Sequence, residues 1–143
     1  MKLFYFYQYC LHINPGKKTS LEIPDYIKSD KNYLINFIRG VFDTDGCITS
    51  QKSGKYNYPL IKISTQHLNF ATQISESLNI LSIKNHITKT KANKEKGRPN
   101  DCYDVVVRNK NIFDFLNKIK SRNPRNLNKL DLILKEIYGA ARI

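Results

Sequence analysis

The sequence predicts an α+β domain in the order α-β-β-α-β-β-α-α, with a four-stranded antiparallel sheet backed by helices. Three observations lead there. Apolar residues recur at helical spacing in four separate segments. Between them stand two pairs of short segments with period-two alternation, each pair joined by a polar loop. The chain has 143 residues, 41% of them hydrophobic, which is material for one core and too little for two.

Residues 3–13 are apolar and aromatic with few helix signals and read as a strand, closed by the turn Asn14-Pro15-Gly16-Lys17-Lys18. They form an N-terminal extension, residues 1–20, ahead of the domain at 21–143. Ile23-Pro24-Asp25-Tyr26 leads into a short helical turn. Ser29-Asp30 is a good N-cap pair for a helix over 31–44, carrying Leu34, Ile35, Phe37, Ile38, Val41 and Phe42. Asp45-Gly46 closes it, with the glycine expected in the left-handed conformation common at helix ends. Strands follow at 47–52 and 58–65, joined through Ser53-Gly54-Lys55. Residues 67–81 are helical, with Leu68, Ala71, Ile74, Ser75 and Leu78 on one face. Strands at 84–91 and 102–108 flank the polar loop 92–101. Helices at 111–120 and 127–138 end the chain, with Pro124 expected to separate them.

Charge narrows the function classes. Lys and Arg number 24 against 12 Asp and Glu, a formal charge of +12 with a pI near 9.7. A biased genome can inflate Lys, but a surplus of this size repels itself unless a polyanion meets it. Cys10, Cys47 and Cys102 form no CxxC pair, so neither a zinc site nor a disulfide framework is expected. No apolar run approaches the ~20 residues of a membrane span, and no signal-peptide cleavage pattern follows the apolar start. A soluble cytoplasmic protein without a membrane partner is the expectation.

The helix at 31–44 is apolar almost all round: Leu34, Ile38 and Val41 make one stripe, and Tyr33, Phe37 and Gly40 another. Such a helix is buried on two sides. Mid-helix Gly40 costs about 1 kcal/mol against alanine, which suggests that another backbone approaches closely there. Asp43 and Asp45 fall at the C-terminal end, where the helix dipole disfavours negative charge. A cation would relieve them, and oxygen ligands suit Mg²⁺.

The run Ile38-Arg39-Gly40-Val41-Phe42-Asp43-Thr44-Asp45-Gly46, followed by Cys47-Ile48 opening a strand, resembles the signature of the LAGLIDADG homing endonucleases. It departs at Arg39, where the family often has a small residue, and conservatively at Ile38, Val41, Phe42 and Thr44. The resemblance runs from about Leu21 to Tyr138 and includes the Ile23-Pro24 lead-in of the archaeal and intein-like branch. It implies a homing-endonuclease-like fold in a DNA-associated protein of a prokaryotic or archaeal cell. Two half-domains would pack through their signature helices, here by Ile38, Gly40 and Val41, and the sheets would lie in the major groove of double-stranded DNA. Asp45 matches the metal ligand, Mg²⁺ being the implied cofactor, and Asp43 a structural residue. Gln66 matches the polar residue that organises water near the metal, or is an ordinary residue at a helix start. Arg125 and Lys129 lie near the family's catalytic-centre lysine, and neither is a clean match. With one signature present, a symmetric homodimer follows; the lead-in also resembles the second half of a two-signature protein, of which this chain would be a fragment.

Strand parity supplies the groove-facing set. With Ile48, Ile61, Ile63, Ile87, Tyr103, Val105 and Val107 inward, the other face presents Thr49, Gln51, Lys62, Ser64, His86, Thr88, Thr90, Asp104 and Arg108. Lys89, Lys91, Lys94, Lys96 and Arg98 are the densest basic run and are expected at phosphates. The implied activity is a metal-dependent, site-specific DNA endonuclease. The alternative is a cleavage-defective relative that binds DNA, or an RNA-binding intron maturase.

Overall fold

The computed structural model describes residues 21–139 apart from 54, 55, 94, 96 and 98. The expected N-terminal strand at 3–13 and its turn lie outside the described residues. A single turn of helix, α1 (Asp25–Lys28), precedes the signature helix α2 (Lys31–Asp45). Asp30 caps α2, its carboxylate accepting the N–H groups of Asn32 and Tyr33 at 2.7 and 3.1 Å. Strands β1 (Gly46–Ser53) and β2 (Tyr56–Thr65), helix α3 (Leu68–Ile80), strands β3 (His86–Thr90) and β4 (Cys102–Arg108), and helices α4 (Asn111–Ile119) and α5 (Pro124–Gly139) follow. This is the α+β architecture that the sequence predicts.

The sheet runs β1-β2-β4-β3, antiparallel throughout. Pairing β2 with β4 joins the two hairpins through their second strands. One face carries Ile48, Ile61, Ile63, Val105 and Val107, all buried. Against it pack Leu34, Ile38 and Phe42 of α2, Ala71, Ile74 and Leu78 of α3, Ile112, Phe115 and Ile119 of α4, and Leu130 and Ile133 of α5. Phe42 and Phe115 meet edge to face at 5.0 Å. Ile23 is buried as well, its N–H donating to Gln73 Oε1 at 2.7 Å, so the Ile23-Pro24 lead-in docks on α3.

Three expectations need correction. Gly46 is not left-handed: its φ of −91° and ψ of 157° are extended, and β1 starts directly from the helix. Glycine is needed there because a Cβ would collide with the Phe42 ring and lie 2.6 Å from the Phe42 carbonyl oxygen. Pro124 does not stand between the last two helices but begins α5. Asn123 Oδ1 accepts the Arg125 N–H at 3.0 Å, so Asn123 caps the helix and Pro124 fills its first position, where the missing N–H costs nothing. Third, Phe42 rather than Val41 continues the Leu34–Ile38 stripe; Val41 is only half-buried against the core. No helix among the described residues is long and apolar enough to cross a membrane.

Candidate functional site

Asp43 and Asp45 both fall in the last turn of α2, in different surroundings. Asp43 is half-buried and engaged at every oxygen. Its Oδ1 accepts from Ser121 Oγ at 2.5 Å, its Oδ2 from the Arg122 N–H at 3.2 Å, and its carbonyl from Asn123 Nδ2 at 2.8 Å. Asp43 thereby ties the α4–α5 linker to the end of α2, which explains an acid at the unfavourable end of the dipole. Arg39, where the signature departs from its family, serves the same junction: its Nε donates to the Ile119 carbonyl at 2.6 Å. Asn126, buried on α5, completes it along the free edge of β1. Its Nδ2 donates to the Gly46 carbonyl and its Oδ1 accepts the Ile48 N–H, both at 3.4 Å.

Asp45 is exposed, with the Thr44 hydroxyl 3.1 Å from its Oδ2. No ion pair reaches it among the described residues. Its oxygens suit a hard divalent cation in kind but not in number, because such ions take about six oxygen ligands and both carboxylate oxygens of Asp43 already accept a hydrogen bond within the chain. Among the described residues no three His, Cys, Asp or Glu come together as a metal site.

The remaining sequence-nominated residues near this end are placed as follows. Gln66 is exposed just beyond β2, where its Oε1 accepts from Asn100 Nδ2 at 3.1 Å and so holds the β3–β4 loop. Arg125 and Lys129 lie within α5, exposed, and neither is ion-paired to Asp45. The early start of α5 changes which residues precede the last helix: they are Lys120 to Asn123, and Arg122 is the basic one whose main chain touches Asp43. Ser121, Asn123 and Asn126 were not singled out from the sequence. Only Asn123-Pro124, a cap followed by proline, carried a readable signal.

On α2 the outward side is formed by Tyr33, Asn36, Gly40 and Thr44, with Phe37 and Val41 half-buried beside them. Tyr33 is 58% exposed, and a Cβ added to Gly40 would meet nothing within 4 Å. Ile38 does not belong to this side. It points into the chain's own core, fully buried, because residues 34, 38 and 42 stack on the sheet.

Register places the expected groove-facing residues on the sheet face away from the core. Across the strands run the rows Thr49–Leu60–Arg108, Cys47–Lys62–Val106–His86 and Ser64–Asp104–Thr88, with Gln51–Tyr58 and Cys102–Thr90 at the two ends. Parity thus brings Thr49, Gln51, Lys62, Ser64, His86, Thr88, Thr90 and Arg108 together. A shallow concavity lies in their midst, lined by Thr49, Gln51, Lys62, Thr88 and Arg108 among others. His86 is held below its ordinary value of 6.5, first by desolvation and then by the Arg108 charge.

Two features of this face differ from expectation. Asp104 is not exposed but 4% accessible, its carboxylate bound by Lys62 Nζ at 2.7 Å and Ser64 Oγ at 2.6 Å. Lys89 sits on the opposite parity, paired with Asp101 at 2.6 Å and standing over the Tyr103 ring. The hydrogen bond between them raises the Lys89 pKa and lowers that of Asp101, so Lys89 is occupied within the chain. Lys91 is exposed in the loop, while Lys94, Lys96 and Arg98 lie outside the described residues.

The sequence matches the profile of the LAGLIDADG-like domain over residues 32–120, more than half of the chain. The protein belongs to the LAGLIDADG family, whose members are generally DNA endonucleases. No curated protein matches it. Among solved structures it is similar to the LAGLIDADG homing endonuclease I-GzeII in complex with its DNA target, at 15% identity and a TM-score of 0.47. That match covers 83% of this chain and 38% of the other, so this chain spans well under half the length of its structural relative.

Proposed function

We propose that this protein is a site-specific, Mg²⁺-dependent endonuclease of double-stranded DNA that works as a symmetric pair of chains. The observation that carries the reading is Asp45: an exposed carboxylate at the end of a helix whose outward side is open, directly before the strand that carries Thr49 and Gln51 of the concave sheet face. Helix α2 would pack against its mate through Phe37, Gly40 and Val41, where the absent Cβ of Gly40 permits close approach. That packing would bring together two Asp45 carboxylates, which repel each other until cations meet them. A divalent ion held there would supply Lewis-acid polarisation of the scissile phosphate and a lowered pKa for the attacking water. The chain's own contribution is positional. Asp43, Arg39 and Asn126 fix the end of α2 on β1 and the α4–α5 linker, so Asp45 projects from a rigid junction. Gln66 and Arg122 would flank it, the first able to orient water and the second to meet phosphate.

A second reading, a DNA- or RNA-binding relative without cleavage, is favoured by the position of Arg125 and Lys129 inside α5. The test is cleavage of DNA selected from a random pool by the purified protein. In Mg²⁺ the wild type should cut the selected site. Asp45→Asn should abolish cutting while binding persists or tightens, since negative charge beside the phosphates is removed. Binding without cutting by the wild type in either Mg²⁺ or Mn²⁺ assigns the second reading, and retention of selected RNA in preference to DNA makes it the maturase.

A further inference from the structure

Asp104 is an anomaly on the face proposed to read DNA. It lies on β4, an inner strand of the sheet, and its side chain is only 6% accessible although its parity is outward. A carboxylate in this place would repel a duplex unless it were covered, and it is covered by Lys62 and Ser64. Both partners reach solvent: Ser64 is exposed, and the Lys62 side chain is 32% accessible.

The hydrogen bonds fix what each partner can still offer. An ionised carboxylate only accepts, so the Ser64 hydroxyl must give its single proton to Asp104 Oδ1. Its remaining lone pairs can then only accept. Lys62 gives one of its three protons to Oδ2 and keeps two. Asp104 thus turns an ambivalent hydroxyl into an obligatory acceptor and sets it two residues along the strand from an anchored donor. In the major groove guanine presents acceptors at O6 and N7, and cytosine a donor at N4. Resting on the DNA-binding reading above, we infer that Lys62, Asp104 and Ser64 form a base-reading unit for a G·C pair. Lys62 donates to the guanine, Ser64 accepts from the cytosine amino group, and Asp104 is the positioning residue that fixes both polarities without touching DNA. Thr88, directly opposite Asp104 on β3, closes the row.

The experiment is binding-site selection from a random duplex pool with full-length wild type, Asp104→Asn, Ser64→Ala and Arg108→Ala, followed by affinities over a salt series. Wild type should prefer G·C over the other pairs at one position by roughly tenfold, the scale of a good side-chain-to-base contact. Asp104→Asn frees Lys62 and restores a donor to Ser64. Preference at that position should fall to within about threefold, while the log–log salt slope steepens by about 0.9 as Lys62 finds a phosphate. Ser64→Ala should lose preference at the same position with an unchanged slope, and serves if Asp104→Asn proves unstable. A merely structural Asp104 would lower the melting temperature and leave base preference intact, and that result overturns the unit. If wild type retains no duplex from the pool at any salt concentration, the DNA-binding reading itself falls. If Arg108→Ala weakens binding while the selected site shows no G·C position sensitive to Asp104 or Ser64, only the unit falls.

Discussion

The two sides of helix α2 share one sequence run but not one role. The inner side, Leu34, Ile38 and Phe42, is fully buried against the chain's own sheet. The outer side carries Tyr33, Gly40 and Thr44, and a Cβ built on Gly40 would meet nothing within 4 Å. The contrast repeats at the helix end, where Asp43 is held by Ser121 and Arg122 and Asp45 is exposed. Each functional candidate is thus the neighbour of a residue that the fold already uses. Residue type does not separate the members of such a pair; only the packing of the rest of the chain does.

The largest effect that tests this division lies on the inner side. Ile38→Ala removes buried methyl groups from a site with no accessible surface and should cost ~2–5 kcal/mol in urea unfolding. Gly40→Leu, two residues along, should leave the monomer as stable or up to about 1 kcal/mol more so, since it removes the helix cost of glycine and its Cβ meets nothing within 4 Å. It should act on association instead, shifting the sedimentation equilibrium toward monomer by the ~1–3 kcal/mol typical of overpacking a close contact. Equal loss of stability in both variants would erase the distinction between the sides.

A smaller effect separates the carboxylates. Asp43→Ala strands the Ser121 hydroxyl and the Arg122 N–H and should lower stability by ~1–3 kcal/mol, the range for leaving polar groups without partners. Asp45→Ala should leave thermal stability unchanged or slightly raised, because it removes an exposed negative charge from the helix C-terminus. Thermal melts of the two variants decide this without any DNA. If Asp45→Ala were the more destabilising, Asp45 would be a structural residue and the metal-ligand role would go with it.

Much of this architecture was legible in the sequence, for identifiable reasons. Period-two alternation placed nine groove-facing candidates on one face, because strand geometry permits only two parities. The Ser29-Asp30 pair announced the start of α2, and Asp30 caps it. What escaped was set by contacts distant in sequence. Ile38 and Val41 look alike in a helix that is apolar all round, and only the positions of α4 and the sheet decide which is buried. Gly46 reads as a left-handed cap, but the Phe42 ring and carbonyl make glycine necessary in an extended chain. Asp104 obeys strand parity and is nevertheless buried, because Lys62 and Ser64 close over it from the next strand. Asn126 acts 78 residues from its partner Ile48, and nothing local marks it.

The smallest effect distinguishes the sheet's two faces by pH. His86 lies on the outer face, its pKa lowered from 6.5 by desolvation and by Arg108. In the unfolded chain it protonates at its ordinary value, so folding opposes protonation. Its contribution to stability is therefore complete above pH 6.5 and lost as pH falls through the lower folded value. Duplex phosphates would act in the opposite sense, favouring the imidazolium and drawing a proton on binding. DNA affinity should then rise across the same window in which stability declines, by severalfold at fixed ionic strength. His86→Gln should flatten both trends together. An inner-face histidine would show the stability trend alone, because no phosphate could reach it. Parallel titrations of melting temperature and affinity, in wild type and His86→Gln, therefore place His86 at the duplex or away from it. A pH-independent affinity in a protein whose stability still follows His86 would remove this edge of the sheet from the interface.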